Sequence, residues 1–377
     1  MRFYLIAGEP SGDALGASLM AGLKELHPDV EFSGVGGPLM QAQGLVSQFP
    51  MEELSVMGLV EVLPKYRALK RRIAECAGAV LAQNPEALIT IDSPDFCLRV
   101  AKTVKAQSNI RTIHYVAPSV WAWRAGRAAK MAKVIDHVLA LLPFEPPLMQ
   151  AAGMGCDFVG HPVVAEPQAT HEQAQDFRTR HGINDTPLLL VLPGSRRGEV
   201  ERLMPIFGET LRQLHKERPD LRIVLPAAPS VATRVQGLVA EWPVPPLLLD
   251  AVNLPEKRAA FAAADVALAA SGTVSLELAA ANTPMVIAYD MNWLSRILIG
   301  RMLKVDTVTL VNLVSDTRVV PEFLGKNCVP DKIARGVLAV LNNPQKQQQA
   351  MTLTMERLGR SQEPPGLRAA RAVLAAL

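Results

Sequence analysis

Short apolar runs alternate with longer helix-like stretches along almost the whole chain. The first run, Phe3 to Ala7, leads into a glycine loop and then a helical stretch from Ala14 to Leu26. Further runs stand at Ala87 to Ile91, Thr112 to Val116, His137 to Leu142 and Asp157 to Val159. Their few-residue length and β-branched content suit strands buried on both faces, as in parallel sheets. From Val163 to Pro187 the pattern breaks into a polar segment bounded by Pro162, Pro167 and Pro187, with one short helix predicted over Glu172 to His181. It then restarts at Leu188 to Leu192, Ile223 to Leu225, Leu247 to Leu249, Val266 to Ala270 and Met285 to Ala288. Alternating strands and helices argue for doubly wound α/β lobes. The C-terminal part reads as helices over Asp331 to Leu341 and Gln347 to Leu358. After a break at Glu363-Pro364-Pro365-Gly366 comes an amphipathic stretch, Leu367 to Leu377. Such a stretch must dock its apolar face, on the first lobe or on a partner chain. The predicted organisation is therefore a Rossmann-like lobe over 1–165, a second over 166–346, and a helical tail over 347–377, with a ligand cleft between the lobes.

Composition agrees with this picture. A chain of 377 residues suits two domains of ~100–200 residues each. Hydrophobic residues at 49% are enough for two cores. A net charge of +3 speaks against a nucleic-acid partner, which usually demands a strongly basic face. The four cysteines, Cys76, Cys97, Cys156 and Cys328, form no Cys-x-x-Cys pair and read as reduced thiols. The N-terminal apolar stretch is too short for a signal-peptide core, and no run approaches the ~18 residues of a membrane span. Both readings place the protein in the cytoplasm.

Candidate chemistry sits in the loops that follow the strands. Gly8-Glu9-Pro10-Ser11-Gly12-Asp13 joins a strand to a helix start, where glycines let backbone approach a ligand. It is not a Gly-x-Gly-x-x-Gly fingerprint, and a plain tight turn explains it equally well. Pro193-Gly194-Ser195-Arg196-Arg197 offers a hydroxyl, amides and guanidinium groups to phosphate oxygens, or else is a solvated turn. Ser271-Gly272-Thr273 opens a helix with free amides, and Glu277 one turn later can accept hydrogen bonds from a ribose diol. The alternative is that Ser271 only caps that helix. Together these two loops suggest a diphosphate and a ribose.

Asp92, in Ile91-Asp92-Ser93-Pro94-Asp95, stands at the C-terminal end of a strand, where open α/β sheets place ligands, and is the candidate general base. Asp95 reads better as a helix-start residue after proline. The run His114 to Arg124 holds two of the four tryptophans, Trp121 and Trp123, with Ser119 and the basic groups His114 and Arg124. Its polarity suits a cleft, although packing is the usual fate of aromatics. His161, at the predicted hinge, is a further cleft candidate.

No two aspartates have Asp-x-Asp spacing, so a diphosphate would be neutralised by arginine and helix amides, with no metal or other cofactor. Residues 54–72 run from an apolar segment, with Val56, Met57, Leu59, Val60 and Leu63, into basic Lys65, Arg67, Lys70, Arg71 and Arg72. This composition fits an element on an anionic membrane surface. It fits equally a buried loop followed by a solvated basic helix.

These motifs, in this order, resemble the lipid-A-disaccharide synthase family. The matching segments are 7–13, 36–40, 51–63, 92–96, 114–124, 142–145, 160–162, 193–196 and 271–277. The most specific is His114-Tyr115-Val116-Ala117-Pro118-Ser119-Val120-Trp121-Ala122-Trp123. One departure is Val311, where many members carry proline, beside a matching Asn312. The resemblance implies a GT-B glycosyltransferase that moves 2,3-diacylglucosamine from its UDP donor to the 6-hydroxyl of 2,3-diacylglucosamine 1-phosphate. It implies inversion at the anomeric carbon, with Asp92 as base. Ser195, Arg196, Ser271, Gly272, Thr273, Glu277 and Asn312 would serve UDP, with Glu9 and Ser11 closing the site. It also implies peripheral attachment to the cytoplasmic side of the inner membrane and a dimer that exchanges C-terminal segments. The nearest rival is a UDP-N-acetylglucosamine 2-epimerase or a peptidoglycan-type transferase, neither of which accounts for His114 to Trp123. A two-lobed solute-binding protein would need export, and a non-catalytic scaffold leaves Asp92 unexplained.

Overall fold

The computed structural model describes residues 1–54, 59–121, 126–250, 252–291 and 305–377; the side chains of 59–66 are outside that description. The chain forms two compact units, one of residues 1–165 with 358–377, the other of residues 166–357.

The first unit is built on seven strands: β1 Arg2–Ala7, β2 Glu31–Val35, β3 Val46–Ser47, β4 Ala87–Ile91, β5 Arg111–Tyr115, β6 His137–Ala140 and β7 Gly155–Phe158. They run parallel in the order β3-β2-β1-β4-β5-β6-β7. Strand side chains alternate between faces. Tyr4 and Ile6 therefore enter one buried cluster, while Phe3, Leu5 and Ala7 enter the other. Helices cover both faces, which explains why the strands read as continuous apolar runs.

The second unit holds β8 Leu188–Leu192, β9 Arg222–Pro226, β10 Leu247–Leu249, β11 Val266–Ala269, β12 Met285–Tyr289 and β13 Glu322–Leu324. Their order is β10-β9-β8-β11-β12-β13, again parallel. Both sheets begin in their middle and then grow to either side, so each has a topological switch point, at β1/β4 and at β8/β11. Open α/β sheets bind ligands beyond the carboxyl ends of the strands at that point.

Three strands, β2, β3 and β13, go beyond the apolar pattern. β2 (Glu-Phe-Ser-Gly-Val) has too few apolar residues to read as a strand. Its Gly34 has φ +134, and a Cβ there would lie 1.8 Å from the Leu5 carbonyl oxygen of β1. The helix Gln345–Arg357 belongs to the second unit, anchored by Thr354 to the Val311 carbonyl and by Arg357 to the Val314 carbonyl. The tail that returns to the first unit therefore begins at Leu358, later than residue 347. Its helix, Pro365–Ala375, packs on Pro10–Leu26 through small residues: a Cβ on Gly22 would lie 2.6 Å from the Gly366 carbonyl oxygen.

Candidate active site

Both switch points carry the loops that the sequence singles out. In the first unit Ala7 of β1 pairs with Ile91 of β4, so the loops that follow them emerge side by side. A Cβ on Gly8 would lie 2.6 Å from Ser93 Oγ and 3.1 Å from Ser93 Cβ, so a side chain there would have to displace Ser93. Glu9 is the N-cap residue of the helix Pro10–Leu26, and Ser11 is exposed in its first turn. Asp13 is 2% exposed and plays a structural part: its carboxylate accepts hydrogen bonds from the Gly37, Leu39 and Met40 amides at 2.9, 3.0 and 3.0 Å.

Asp92 and Ser93 have φ +51 and +44, and Val116, after the neighbouring β5, has φ +87. Left-handed backbone is uncommon for non-glycine residues and an outlier for a β-branched one; each instance costs ~1–3 kcal/mol. The sheet holds the strain in place. The Asp92 amide donates to the Tyr115 carbonyl at 3.0 Å, and the Val116 amide to the Leu139 carbonyl at 3.0 Å. Asp92 is half-buried, and among the described residues its carboxylate makes no hydrogen bond.

The aromatic loop is less open than its composition suggests. His114 does not line an open surface: it is 1% exposed inside the sheet, its Nδ1 2.7 Å from Thr90 Oγ1, and burial lowers its pKa to about 4. Ser119 is exposed. Trp121 is half-buried, set edge-on to Phe144, and its indole N–H reaches Glu145 Oε1 at 3.3 Å. Glu145, 4% exposed, also accepts from the Leu142 amide at 3.0 Å. Burial outweighs those hydrogen bonds and raises its pKa to about 7. Trp123 and Arg124 lie outside the described residues, as do Val56 and Met57. His161 is neutral, with a pKa lowered by burial to about 4, and its Nδ1 accepts from the Val163 amide at 3.2 Å, which makes it a local cap.

The helix Leu59–Gln83 carries Leu59, Val60, Leu63 and Lys65, whose side chains are outside the description. Farther along, Leu69, Ile73, Cys76 and Val80 pack on the core. Arg67, Lys70 and Arg71 are exposed, while Arg72 binds Glu53 through two nitrogens at 2.8 Å.

In the second unit, Leu192 of β8 pairs with Ala269 of β11. The loops that follow line a cavity of about 450 Å³ with Ser195, Arg196, Ser271, Gly272 and Thr273, and Lys257 and Glu277 line it too. Gly194 and Gly272 have φ +108 and +154, which favours glycine at both. The helix Arg197–Glu217 begins in this cavity with no side-chain cap, leaving its first amides and positive dipole end to the ligand space. Thr273, not Ser271, precedes the helix Val274–Ala280, also without a side-chain cap, so capping does not explain Ser271. Arg196 is 67% exposed and rests on Glu199 at 3.3 Å. Lys257 Nζ, which sequence reasoning missed, holds Glu277 Oε2 at 2.8 Å.

Asn312 lies apart from this cavity. It is 1% exposed; its amide donates to Thr307 Oγ1 and the Val320 carbonyl, and its oxygen accepts from the Val320 amide. Its two amide donors hold the segment before β13. Among the described residues no cluster of histidine, cysteine, aspartate and glutamate is suited to a metal, and no helix is long and apolar enough to cross a membrane.

Comparison with known proteins bears on the family and the fold. The chain is 66% identical to the lipid-A-disaccharide synthase of Ruegeria pomeroyi, across 99% of this chain and 95% of that protein. It is 51% identical to that of Rhodospirillum centenum, across 99% and 94%. Among solved structures, the UDP-GlcNAc 2-epimerase of Neisseria meningitidis, bound to UDP-GlcNAc, superposes with a TM-score of 0.64 at 11% identity, covering 100% of this chain and 99% of that one. Acinetobacter baumannii MurG gives a TM-score of 0.56 at 14% identity, with 94% of each chain covered. These distant likenesses show a GT-B type fold. A family profile described as Lipid-A-disaccharide synthetase matches residues 3–373, and the chain belongs to this family of glycosyltransferases of lipid A biosynthesis.

Proposed function

We propose that the chain transfers 2,3-diacylglucosamine from UDP-2,3-diacylglucosamine to the 6-hydroxyl of 2,3-diacylglucosamine 1-phosphate. The observation that carries the donor half is the second-unit cavity. It joins uncapped helix amides, Ser195, Arg196 and Ser271 to Thr273, groups suited to a diphosphate, with a carboxylate, Glu277, suited to a ribose diol. Asp92 takes the proton of the 6-hydroxyl as its oxygen attacks the anomeric carbon. The bond to the β-phosphate oxygen breaks with its electron pair, and UDP departs. One displacement turns the α-linked donor into a β-1′,6-linked disaccharide 1-phosphate. Arg196 and the amides stabilise the leaving diphosphate without a metal. Glu9 and Ser11 help close the site.

The acceptor and the donor both carry acyl chains, so the same reading places the protein peripherally on the anionic inner membrane surface. The apolar positions Leu59, Val60 and Leu63 and the exposed Arg67 supply the contact. An exchange of C-terminal segments between two copies is part of the reading.

The test supplies detergent-solubilised protein with both substrates and EDTA and follows products by mass spectrometry. A tetraacyl disaccharide 1-phosphate with UDP is the expected result. UDP binding without that product moves the chain to epimerase-like chemistry, and a requirement for divalent cation refutes the metal-free step.

A further inference from the structure

A groove on the first unit opens beside the strained turn that carries Asp92. Its walls are Pro94, Asp95 and Leu98 of the helix after β4, Pro118 of the loop after β5, and Arg127 and Lys130 of the short helix Gly126–Met131. It encloses about 470 Å³. Arg127 and Lys130 stand three residues apart on their helix, so they share a face.

Among the described residues, neither of these two cations is taken up by a carboxylate. Several other arginines are held by carboxylates, Arg197 by Glu201 at 2.8 Å, Arg218 by Asp220 at 3.0 Å and Arg318 by Asp306 at 2.7 Å, and so are not available to a ligand in the same way. Among the described residues, Arg127 and Lys130 form no ion pair or hydrogen bond, although Arg127 is half-buried. Among the described residues, Asp95 is the one carboxylate lining the groove, against the two positive charges of Arg127 and Lys130. A concave surface with surplus unpaired charge beside a candidate base favours an anionic part of the molecule on which that base acts.

We propose that this groove binds the phosphomonoester of the sugar acceptor, with Arg127 and Lys130 as its ligands. The inference rests on the acceptor reading given above and deepens it. A phosphomonoester carries nearly two charges at neutral pH and three acceptor oxygens, which suit a guanidinium fork and an ammonium together. In the acceptor, the attacking 6-hydroxyl and the anomeric phosphate are separated by one pyranose ring. The phosphate must therefore lie near the base without covering it. Pro94 and Asp95 meet that requirement, since they follow Asp92 within the next helical turn. Arg127 clamps two phosphate oxygens and Lys130 a third, turning the 6-hydroxyl towards Asp92.

The test compares two acceptors, 2,3-diacylglucosamine with and without its 1-phosphate, on the full chain in detergent. It uses the wild type, Arg127→Ala, Lys130→Ala and the double variant. The wild type should prefer the phosphorylated acceptor. Each single change should raise KM for it about tenfold or more, the worth of one charge-assisted contact, and the double change should collapse the preference. KM for the UDP-sugar should stay put, and Lys130→Arg should retain most of the preference. A preference unchanged in the double variant overturns the proposal while leaving the transferase reading intact. So does an equal loss on both acceptors, which means a structural role. Loss of binding to anionic vesicles with an unchanged acceptor KM also overturns it, and makes the patch a membrane contact. A wild type that makes no disaccharide from either acceptor sinks the transferase reading and this inference together.

Discussion

At the scale of single residues, the site is marked by backbone strain and by a carboxylate that makes no hydrogen bond among the described residues. Asp92 and Ser93 hold left-handed φ values at the end of β4, beside Gly8, whose missing side chain admits Ser93. Strain of this kind persists only where the surroundings over-determine it, and here the sheet amides do so. Asp92→Asn keeps the shape and removes the proposed base. It should lower kcat by ~10²–10⁴ while the UDP dissociation constant, set in the other unit, is unchanged; a calorimetric titration beside turnover measurements checks both. Glu145 gives a pH prediction. Its pKa rises from 4.5 unfolded to about 7 folded, so the folded state holds a proton that the unfolded state releases. The stability this brings is complete below the unfolded value and is lost as pH rises through the folded one. The slope is at most about 1.4 kcal/mol per pH unit. Glu145→Gln should flatten urea midpoints between those two pH values; an unaltered slope would show that the carboxyl ionises freely. The position of Asp92 at the end of β4 was legible, and a strand-end acid is what made it a candidate base. Glu145 and the pair Arg127 and Lys130 were not, because burial and the absence of partners are properties of the folded neighbourhood.

At the scale of elements, legibility followed apolar density. β1, β4, β8 and β11 are uninterrupted apolar runs, and they are the strands that define both switch points. Their loops therefore fell in the right places from sequence alone. β2 escaped because its role is to let Gly34 approach Leu5, a contact requirement rather than a pattern. The same kind of contact joins helix Pro10–Leu26 to helix Pro365–Ala375 and yields a prediction. Gly22→Ala gains ~1 kcal/mol of helix propensity. It also drives a Cβ to 2.6 Å from the Gly366 carbonyl oxygen and 2.9 Å from Leu367 Cα, backbone atoms that cannot rotate away. Overpacking costs ~1–3 kcal/mol and should win, so chemical denaturation should show a net loss of stability. A gain would mean that the terminal helix sits more loosely than this packing requires.

At the scale of the molecule, the two units divide the labour, and the last twenty residues tie the chain back to its beginning. The second unit, 166–357, has its own sheet, its own core and the whole of the proposed nucleotide cavity. The first unit is different. Ala369, Ala370, Val373 and Ala376 from the far end of the chain enter the same cluster as Phe3, Leu5 and Leu19, so its core is incomplete without residues 358–377. Removing that segment should expose the apolar face of helix Pro10–Leu26 and destabilise the first unit alone. The proposed donor site should survive, because none of its lining residues comes from the deleted stretch. Calorimetry with and without UDP separates the two effects. A ligand that binds only the folded form adds ~2.7 kcal/mol at a hundredfold excess over its dissociation constant. In the truncated chain, UDP should raise only the transition of the second unit, with an affinity close to that of the full chain. If truncation abolished UDP binding, the nucleotide site would depend on the first unit, and the division of donor and acceptor chemistry between the units would be wrong.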